Sequence, residues 1–295
     1  MADKSAIEWT DATWTPIRAR NKKTGKVGWH CEHATAGCVR CYSEAINRRL
    51  GTGLPFKPGH TQDIDLFLDE NMLLAPERWR KPRMIFVCSM TDLFADFVPE
   101  DWIRAVFAVM ARTPRHTYQV LTKRAERMHE VLTKWRRAGV TLREGCGVTL
   151  PNVWMGVSVE RQEEDHRLPY LINTPAAVRF LSAEPLLGPL LLQHRELIGG
   201  KVRNWLGEGG LNWAIIGGES GVGARECSLA WVRSLVDQCE AGGTACFVKQ
   251  LGACVTDENG IRIALRHRKG ADPMEWPSGL LVRQFPTARL AALAA

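Results

Sequence analysis

Short β-branched, apolar runs recur along the chain, each followed by a polar turn and then by a stretch whose apolar positions have helical spacing. The runs occupy 84–88, 118–121, 153–159, 177–181, 213–216 and 245–248, and each predicts a strand. Their starts lie roughly 24 to 36 residues apart, the length of a strand, turn, helix and return. The helices between them carry their own signals. Pro99, Glu100 and Asp101 open one whose apolar face runs through Trp102, Val106 and Met110. Another starts near Ser228 and brings Trp231, Leu235 and Cys239 onto one side. The pattern predicts an α/β fold, a parallel β/α partial (TIM-like) barrel with an N-terminal cysteine-bearing extension.

The turns that follow the strands hold the polar residues. In order they read Ser89-Met90-Thr91-Asp92, Thr122-Lys123-Arg124, Ser158-Val159-Glu160, Ser182-Ala183-Glu184-Pro185, Gly217-Gly218-Glu219-Ser220 and Lys249-Gln250. Parallel β/α folds gather ligands at the carboxyl ends of strands, so six such turns predict one shared site. Helix capping explains any one of them alone. No flexible linker divides the repeats, which predicts one domain over 1–295: a three-cysteine segment at 1–45, β/α repeats over 84–252 and a tail over 253–295. Within it, 199–210 reads as an inserted loop and 255–277 as a charged tail, and a split near Gly145 is the alternative.

Composition narrows the class. With 295 residues, 45% of them hydrophobic and 24% charged, the chain is neither disordered nor fibrous. Its 39 basic and 32 acidic residues give a net charge of +7 and a pI near 9.0, which permits an anionic partner without demonstrating one. The longest apolar run, around 186–192, contains Gly188 and Pro189 and falls far short of the roughly 20 residues a bilayer needs. Asp3, Lys4, Glu8 and Asp11 interrupt any signal-peptide pattern, so the expected location is the cytoplasm. In that reducing setting the nine cysteines are expected to hold metal, do chemistry or pack, not to form disulfides.

Three of those thiols cluster in His30-Cys31-Glu32-His33-Ala34-Thr35-Ala36-Gly37-Cys38-Val39-Arg40-Cys41-Tyr42, with gaps of six and then two residues. A loop of that length can turn Cys31, Cys38 and Cys41 toward one point. Three thiolates leave a fourth position. Filled by His30 or His33, the site is structural zinc; left open, it is a [4Fe-4S] cluster with one iron free for a ligand. Spacing decides neither. Cys239 reads as packing, as does Cys88, while Lys249 and Gln250 read equally as strand-end site residues or as a structural ion pair.

A three-cysteine loop ahead of a parallel β/α partial barrel resembles the radical S-adenosylmethionine superfamily, whose usual gaps are three and then two residues. More closely, the chain is similar to a phage-associated three-cysteine-motif family, a domain of unknown function and a relative of that superfamily. The resemblance is carried by Ile7-Glu8-Trp9-Thr10-Asp11, Gly37-Cys38, Cys41-Tyr42, Ser89-Met90-Thr91-Asp92-Leu93-Phe94 and Gln119-Val120-Leu121-Thr122-Lys123-Arg124. It continues through Asn152-Val153-Trp154-Met155-Gly156-Val157-Ser158-Val159-Glu160, Leu181-Ser182-Ala183-Glu184-Pro185, Gly217-Gly218-Glu219-Ser220-Gly221 and Phe247-Val248-Lys249-Gln250-Leu251-Gly252. It implies that Cys31, Cys38 and Cys41 hold three irons while the fourth binds the amino and carboxylate groups of S-adenosylmethionine, which is then cleaved to methionine and a 5′-deoxyadenosyl radical. Ser158, Glu160, Glu184, Gly217, Gly218, Glu219 and Ser220 would bind the cofactor, their acceptors suiting adenosine hydroxyls and the methionine ammonium. The superfamily's Gly-Gly-Glu follows its second strand, whereas Gly217-Gly218-Glu219 follows a late one. No catalytic residue is assigned.

Basic groups at 18–26, 123–127, 134–137 and 262–269, with Trp29, Trp79 and Trp135 near them in sequence, allow phosphate contact and base stacking. The run at 134–137 is most simply a solvated helix face. Three functions follow as expectations. One is an iron-sulfur enzyme using S-adenosylmethionine and an electron donor, acting on a nucleic acid or nucleotide. The others are a zinc-stabilised nucleic-acid-binding protein and an inactive partner protein of a mobile-element system.

Overall fold

The computed structural model describes residues 4–198 and 201–287, with the backbone alone over 194–198 and 201–203. Gly199 and Gly200 of the inserted loop, and 288–295 of the tail, lie outside the described residues. The chain forms two compact units, Met1–Met155 with Thr174–Ala177, and Gly156–Asn173 with Val178–Ala295.

The first unit runs β1 (Ala12–Trp14), β2 (Ile17–Asn21), β3 (Val27–Gly28), α1 (Tyr42–Leu50), β4 (Ile64–Leu68), α2 (Glu70–Leu73), α3 (Ala75–Arg78), β5 (Met84–Val87), α4 (Glu100–Arg112), β6 (Thr117–Thr122) and α5 (Ala125–Arg137). It also contains the start of β7 (Val153–Ser158). All four β5 residues are buried, the mark of a parallel strand covered on both faces. β5 pairs in parallel with β6 and with β1, Ala12 opposite Ile85 and Trp14 opposite Val87. β1 was not predicted: three residues give no period to read. What places it is polar, since Thr10 Oγ1 and Asp11 N–H both donate to the Met84 carbonyl and Asp11 Oδ2 accepts the Met84 N–H at 2.7 Å. The N-terminal extension thus supplies an edge strand. On α4 the predicted Val106 and Met110 are buried together with Ile103 and Phe107, while Trp102 is only half-buried.

The second unit continues with α6 (Arg167–Asn173), β8 (Val178–Ala183), β9 (Gln193–Ile198), β10 (Lys201–Asn204), β11 (Trp213–Gly217), β12 (Cys227–Ser228), α7 (Leu229–Ala241), β13 (Ala245–Gln250), β14 (Val255–Thr256) and β15 (Arg262–Ile263). β11 pairs in parallel with β8 and β13. Within the predicted inserted loop lies β10, which pairs antiparallel with β9. Ser228 caps α7 by accepting the Ala230 N–H at 3.2 Å, and Val232, Leu235 and Cys239 pack inward while Trp231 is half-buried. The segment read as a charged tail is stitched to the core. β14 pairs with β12, the Val248 N–H donates to the Val282 carbonyl at 2.7 Å, and the Trp276 indole donates to the Gly270 carbonyl.

The fold is therefore mixed α/β, with a curled parallel sheet of seven strands in the order β1-β5-β6-β7-β8-β11-β13. A separate antiparallel sheet, β3-β2-β4, belongs to the first unit. No helix among the described residues is long and apolar enough to cross a membrane. Inside the second unit, a Cβ on Gly156 would lie 2.4 Å from Cζ of the fully buried Phe180. Gly156→Ala is expected to cost about 1–3 kcal/mol through overpacking, read as a lower urea midpoint with an unchanged slope.

Candidate metal centre and strand-end carboxylates

The three-cysteine loop belongs to the first unit and is held at the carboxyl ends of β5 and β6. Thr91 Oγ1 donates to the His30 carbonyl at 2.5 Å, Arg124 donates to the Glu32 carbonyl at 3.2 Å, and the Tyr42 and Ser43 hydroxyls donate to the Ser89 carbonyl at 3.1 and 2.8 Å. The loop then turns through a short 3₁₀ segment, Ala36–Arg40, and enters α1 with Cys41 as N-cap. Cys31, Cys38 and Cys41 are all half-buried.

The electrostatics show the thiols to be neighbours. Burial pushes the Cys31 thiol well up, and Asp92, Cys41 and Cys38 add to this while Arg124 opposes it. Cys41 is also raised by burial, against the backbone N–H groups of Glu44 and Ser43, which donate to its sulfur. At Cys38 the Ala34 N–H donates to Sγ at 3.4 Å. Among the described residues no group of three or more histidine, cysteine, aspartate or glutamate side chains is arranged to hold a metal ion as it stands. The donor chemistry nevertheless suits a thiolate-held metal, since backbone N–H groups at sulfur are what such centres use to offset thiolate charge. Of the two histidines, His33 Nε2 is engaged with Glu44 Oε2 at 2.6 Å. His30 is buried against Phe97 and Phe56, its Nε2 has no hydrogen-bond partner, and burial lowers its pKa to about 4, so the ring is neutral.

Asp92 organises this end of the first unit. Its Oδ1 accepts the Thr122 hydroxyl at 2.6 Å and the Phe94 N–H at 3.0 Å, and its Oδ2 accepts the Lys123 N–H at 2.9 Å. One buried carboxylate thus joins the turn after β5 to the turn after β6. At the opposite, amino end of β5 an open groove of about 700 Å³ is lined by Ser5, Ile7, Thr10, Asp11, Lys81 and Arg83 among others.

The second unit holds the strand-end set proposed for a cofactor. Glu160 is fully buried, with Arg167 Nη1 3.5 Å from its Oε2, and the same nitrogen donates to the Ser158 carbonyl at 2.6 Å. Glu184 Oε1 accepts Lys249 Nζ at 2.5 Å. Glu219 takes a two-pronged contact from the Arg225 guanidinium and also accepts the Arg225 N–H at 2.8 Å. Gly217 lies against Glu184: a Cβ there would meet Glu184 Cγ at 3.2 Å. At Gly218 a Cβ would meet the Leu251 carbonyl oxygen at 2.1 Å, and the Gly218 carbonyl accepts from Gln250. Ser158 is buried and Ser220 exposed. Each of the three glutamates already has a cation of this chain beside it.

The family whose profile matches residues 4–284 is described as a protein of unknown function (DUF5131). The chain belongs to this family. No curated protein and no solved structure matches it.

Several working residues of this DUF5131 chain escape a reading by motif. Arg167 and Arg225 follow their glutamates by seven and six residues, a recurrence visible only once the strand ends are fixed. Lys249 is an ion-pair partner of Glu184 at a strand end, in line with its structural reading. Cys88 and Cys239 are buried, and the thiols of Cys239 and Cys246 are hydrogen-bonded, which raises Cys246 strongly. Trp135 is buried and donates to Glu100 Oε1 at 2.7 Å, so it offers no stacking face. Asp92→Asn sets an amide donor against an N–H or hydroxyl donor and is expected to lower stability by about 1–3 kcal/mol. Thr122→Val, which leaves the carboxylate its two backbone donors, is expected to cost less in the same urea titration.

Proposed function

We propose that Cys31, Cys38 and Cys41 hold a [4Fe-4S] cluster and that this DUF5131 chain uses it with S-adenosylmethionine. The observation that carries this is the set of backbone N–H groups at the sulfurs, from Ala34 at Cys38 and from the first turn of α1 at Cys41. When bound, a cluster with one open iron supplies the reductive cleavage of S-adenosylmethionine to methionine and a 5′-deoxyadenosyl radical. The chain's own part is to fix and shield. Thr91, Tyr42, Ser43 and Arg124 tie the loop to the strand ends, so the sulfurs project from backbone already immobilised. Arg124 also places positive charge near Cys31, favouring its thiolate.

For the cofactor's polar groups, Ser158, Glu160, Glu184, Gly217, Gly218, Glu219 and Ser220 are the proposed contacts. Glu184 leads them. Its side chain is 18% exposed, against 0% for Glu160 and 6% for Glu219, and its partner Lys249 is a flexible point charge where the other two glutamates pair with arginine. The proposal includes an electron donor, a TIM-like identity for the sheet, a cytoplasmic setting, and a phage-associated family related to the radical S-adenosylmethionine enzymes.

One observation favours a second reading. The buried Nε2 of His30, which has no hydrogen-bond partner and lies 3.7 Å from Glu32 Oε1, stands one residue from Cys31, and a neutral imidazole is a good fourth ligand for zinc beside three thiolates. Anaerobic purification separates the two. A brown protein with about four irons and four sulfides per chain is expected, with metal lost in Cys31→Ala, Cys38→Ala and Cys41→Ala. A colourless protein with one zinc per chain that Cys38→Ala and His30→Ala both release supports zinc instead, and iron retained in Cys38→Ala overturns the ligand set. Release of 5′-deoxyadenosine on reduction with S-adenosylmethionine separates an active enzyme from an inactive partner protein.

A further inference from the structure

The small β3-β2-β4 sheet of the first unit carries an unusual outer face. Along β2 the buried positions are Ile17, Ala19 and Asn21, so the alternation turns Arg18 and Arg20 outward. The antiparallel register sets Phe67 of β4 opposite Arg18, and Val27 of β3 opposite Arg20. The guanidinium of Arg18 lies 4.7 Å over the Trp29 ring, and that of Arg20 lies 5.8 Å over Phe67. Arg18 Nε donates to the Gly28 carbonyl at 3.0 Å, which fixes the plane of its fork. Two flat cations are thus held against two rings on one sheet face.

The turn at the end of this face adds to it. Between Ile17 and Cys31 the chain has five basic residues, Arg18, Arg20, Lys22, Lys23 and Lys26, and no acidic one. Lys22 is 3.7 Å from Asp65, which stands opposite Arg20 on β4, and Asp69 draws on Arg18. Arg20, Lys23 and Lys26 are exposed and make no ion pair among the described residues. Charges left unneutralised by their own chain are charges available to a polyanion. Rings and guanidinium planes on an open sheet suit unpaired bases, which stack on them without regard to sequence. Duplex DNA offers no such free base faces.

We infer that the outer face of the β3-β2-β4 sheet, with Arg18, Arg20, Lys23, Lys26, Trp29 and Phe67, is a docking surface for single-stranded nucleic acid. The cations take the phosphates, and Trp29 and Phe67 with their stacked arginines take the bases. This surface stands apart from the metal proposal, because none of its residues is a proposed ligand. Trp29 lies two residues before Cys31, so the same stretch of chain joins the face to the thiol loop.

The test is fluorescence anisotropy of the full chain with labelled single strands of about 20 nucleotides, DNA and RNA, and with a duplex of equal length, from about 50 to 200 mM salt. Single strands are expected to bind tighter than the duplex, with log affinity falling against log salt by about 0.7 for each phosphate neutralised. Arg18→Ala/Arg20→Ala is expected to weaken binding about tenfold or more and to flatten the salt slope. Lys23→Glu/Lys26→Glu, confined to the exposed turn and so without effect on packing, is expected to weaken it similarly. Arg136→Ala/Arg137→Ala on α5 should leave it unchanged, and Cys38→Ala should bind as the parent does, so failure of the metal reading and failure of this one are distinguishable. Absence of single-strand binding at about 50 mM salt, preference for the duplex, or unchanged affinity in both sheet variants would overturn the inference.

Discussion

A parallel strand must hand the chain into a turn at its carboxyl end, and the peptide groups freed there need partners. In this protein, buried carboxylates meet that need. An ionised carboxylate offers two oxygens and about four acceptor directions, enough to collect donors from separate segments. Asp92 collects a hydroxyl and two backbone N–H groups from the turns after β5 and β6. Glu219 takes its own Arg225 by backbone and side chain together. Beside Glu160, a single nitrogen of Arg167 serves both the carboxylate and the Ser158 carbonyl. Burying such charges costs free energy unless they are paired or hydrogen-bonded: Glu160 and Glu219 each have an arginine, and Asp92 has three hydrogen-bond donors. The return is a set of turns whose backbones are fixed before any ligand arrives.

The thiol loop depends on that constraint at one remove. Arg124, which reaches the Glu32 carbonyl, follows the turn that Asp92 holds, and Thr91, which reaches the His30 carbonyl, immediately precedes Asp92. The loop has little apolar anchorage of its own: no residue of the 3₁₀ segment Ala36–Arg40 is buried. Its shape is set by hydrogen bonds to strand ends and by the cap of α1, a polar frame around three thiols, of which burial raises the pKa of Cys31 and Cys41.

What was legible in the sequence follows from the same physics. All six predicted strands of the main sheet are present, displaced by no more than a residue or two, because strands buried on both faces must be continuous apolar runs. β1 was invisible because its place depends on Thr10 and Asp11 bonding to Met84, a contact across more than seventy residues that no local pattern encodes. On α4, Val106 and Met110 were legible from their spacing, while Ile103 takes the place of the larger, amphipathic Trp102. The strand-end residues of the candidate site were legible as types. Their pairing was not, since an arginine six or seven positions on reads as solvated until the turn that brings it back is known. The end of the chain misled for a similar reason: between Val255 and Pro277 many charges surround few apolar residues, and those few, Val255 and Trp276 among them, are the ones that anchor it.

The paired glycines at the end of β11 differ in what they allow over evolutionary time. At Gly217 an added methyl would press at 3.2 Å on a side-chain carbon of Glu184, a group with a rotamer to spare. At Gly218 it would strike the Leu251 carbonyl oxygen at 2.1 Å, and that backbone is itself bonded to Gly270 through the Leu251 N–H. Drift can therefore probe the first position and be forgiven. The second admits no side chain of any chemistry, so lineages that diverge in what they bind at this turn have to vary Glu219, Ser220 and the residues facing them while Gly218 stays a glycine.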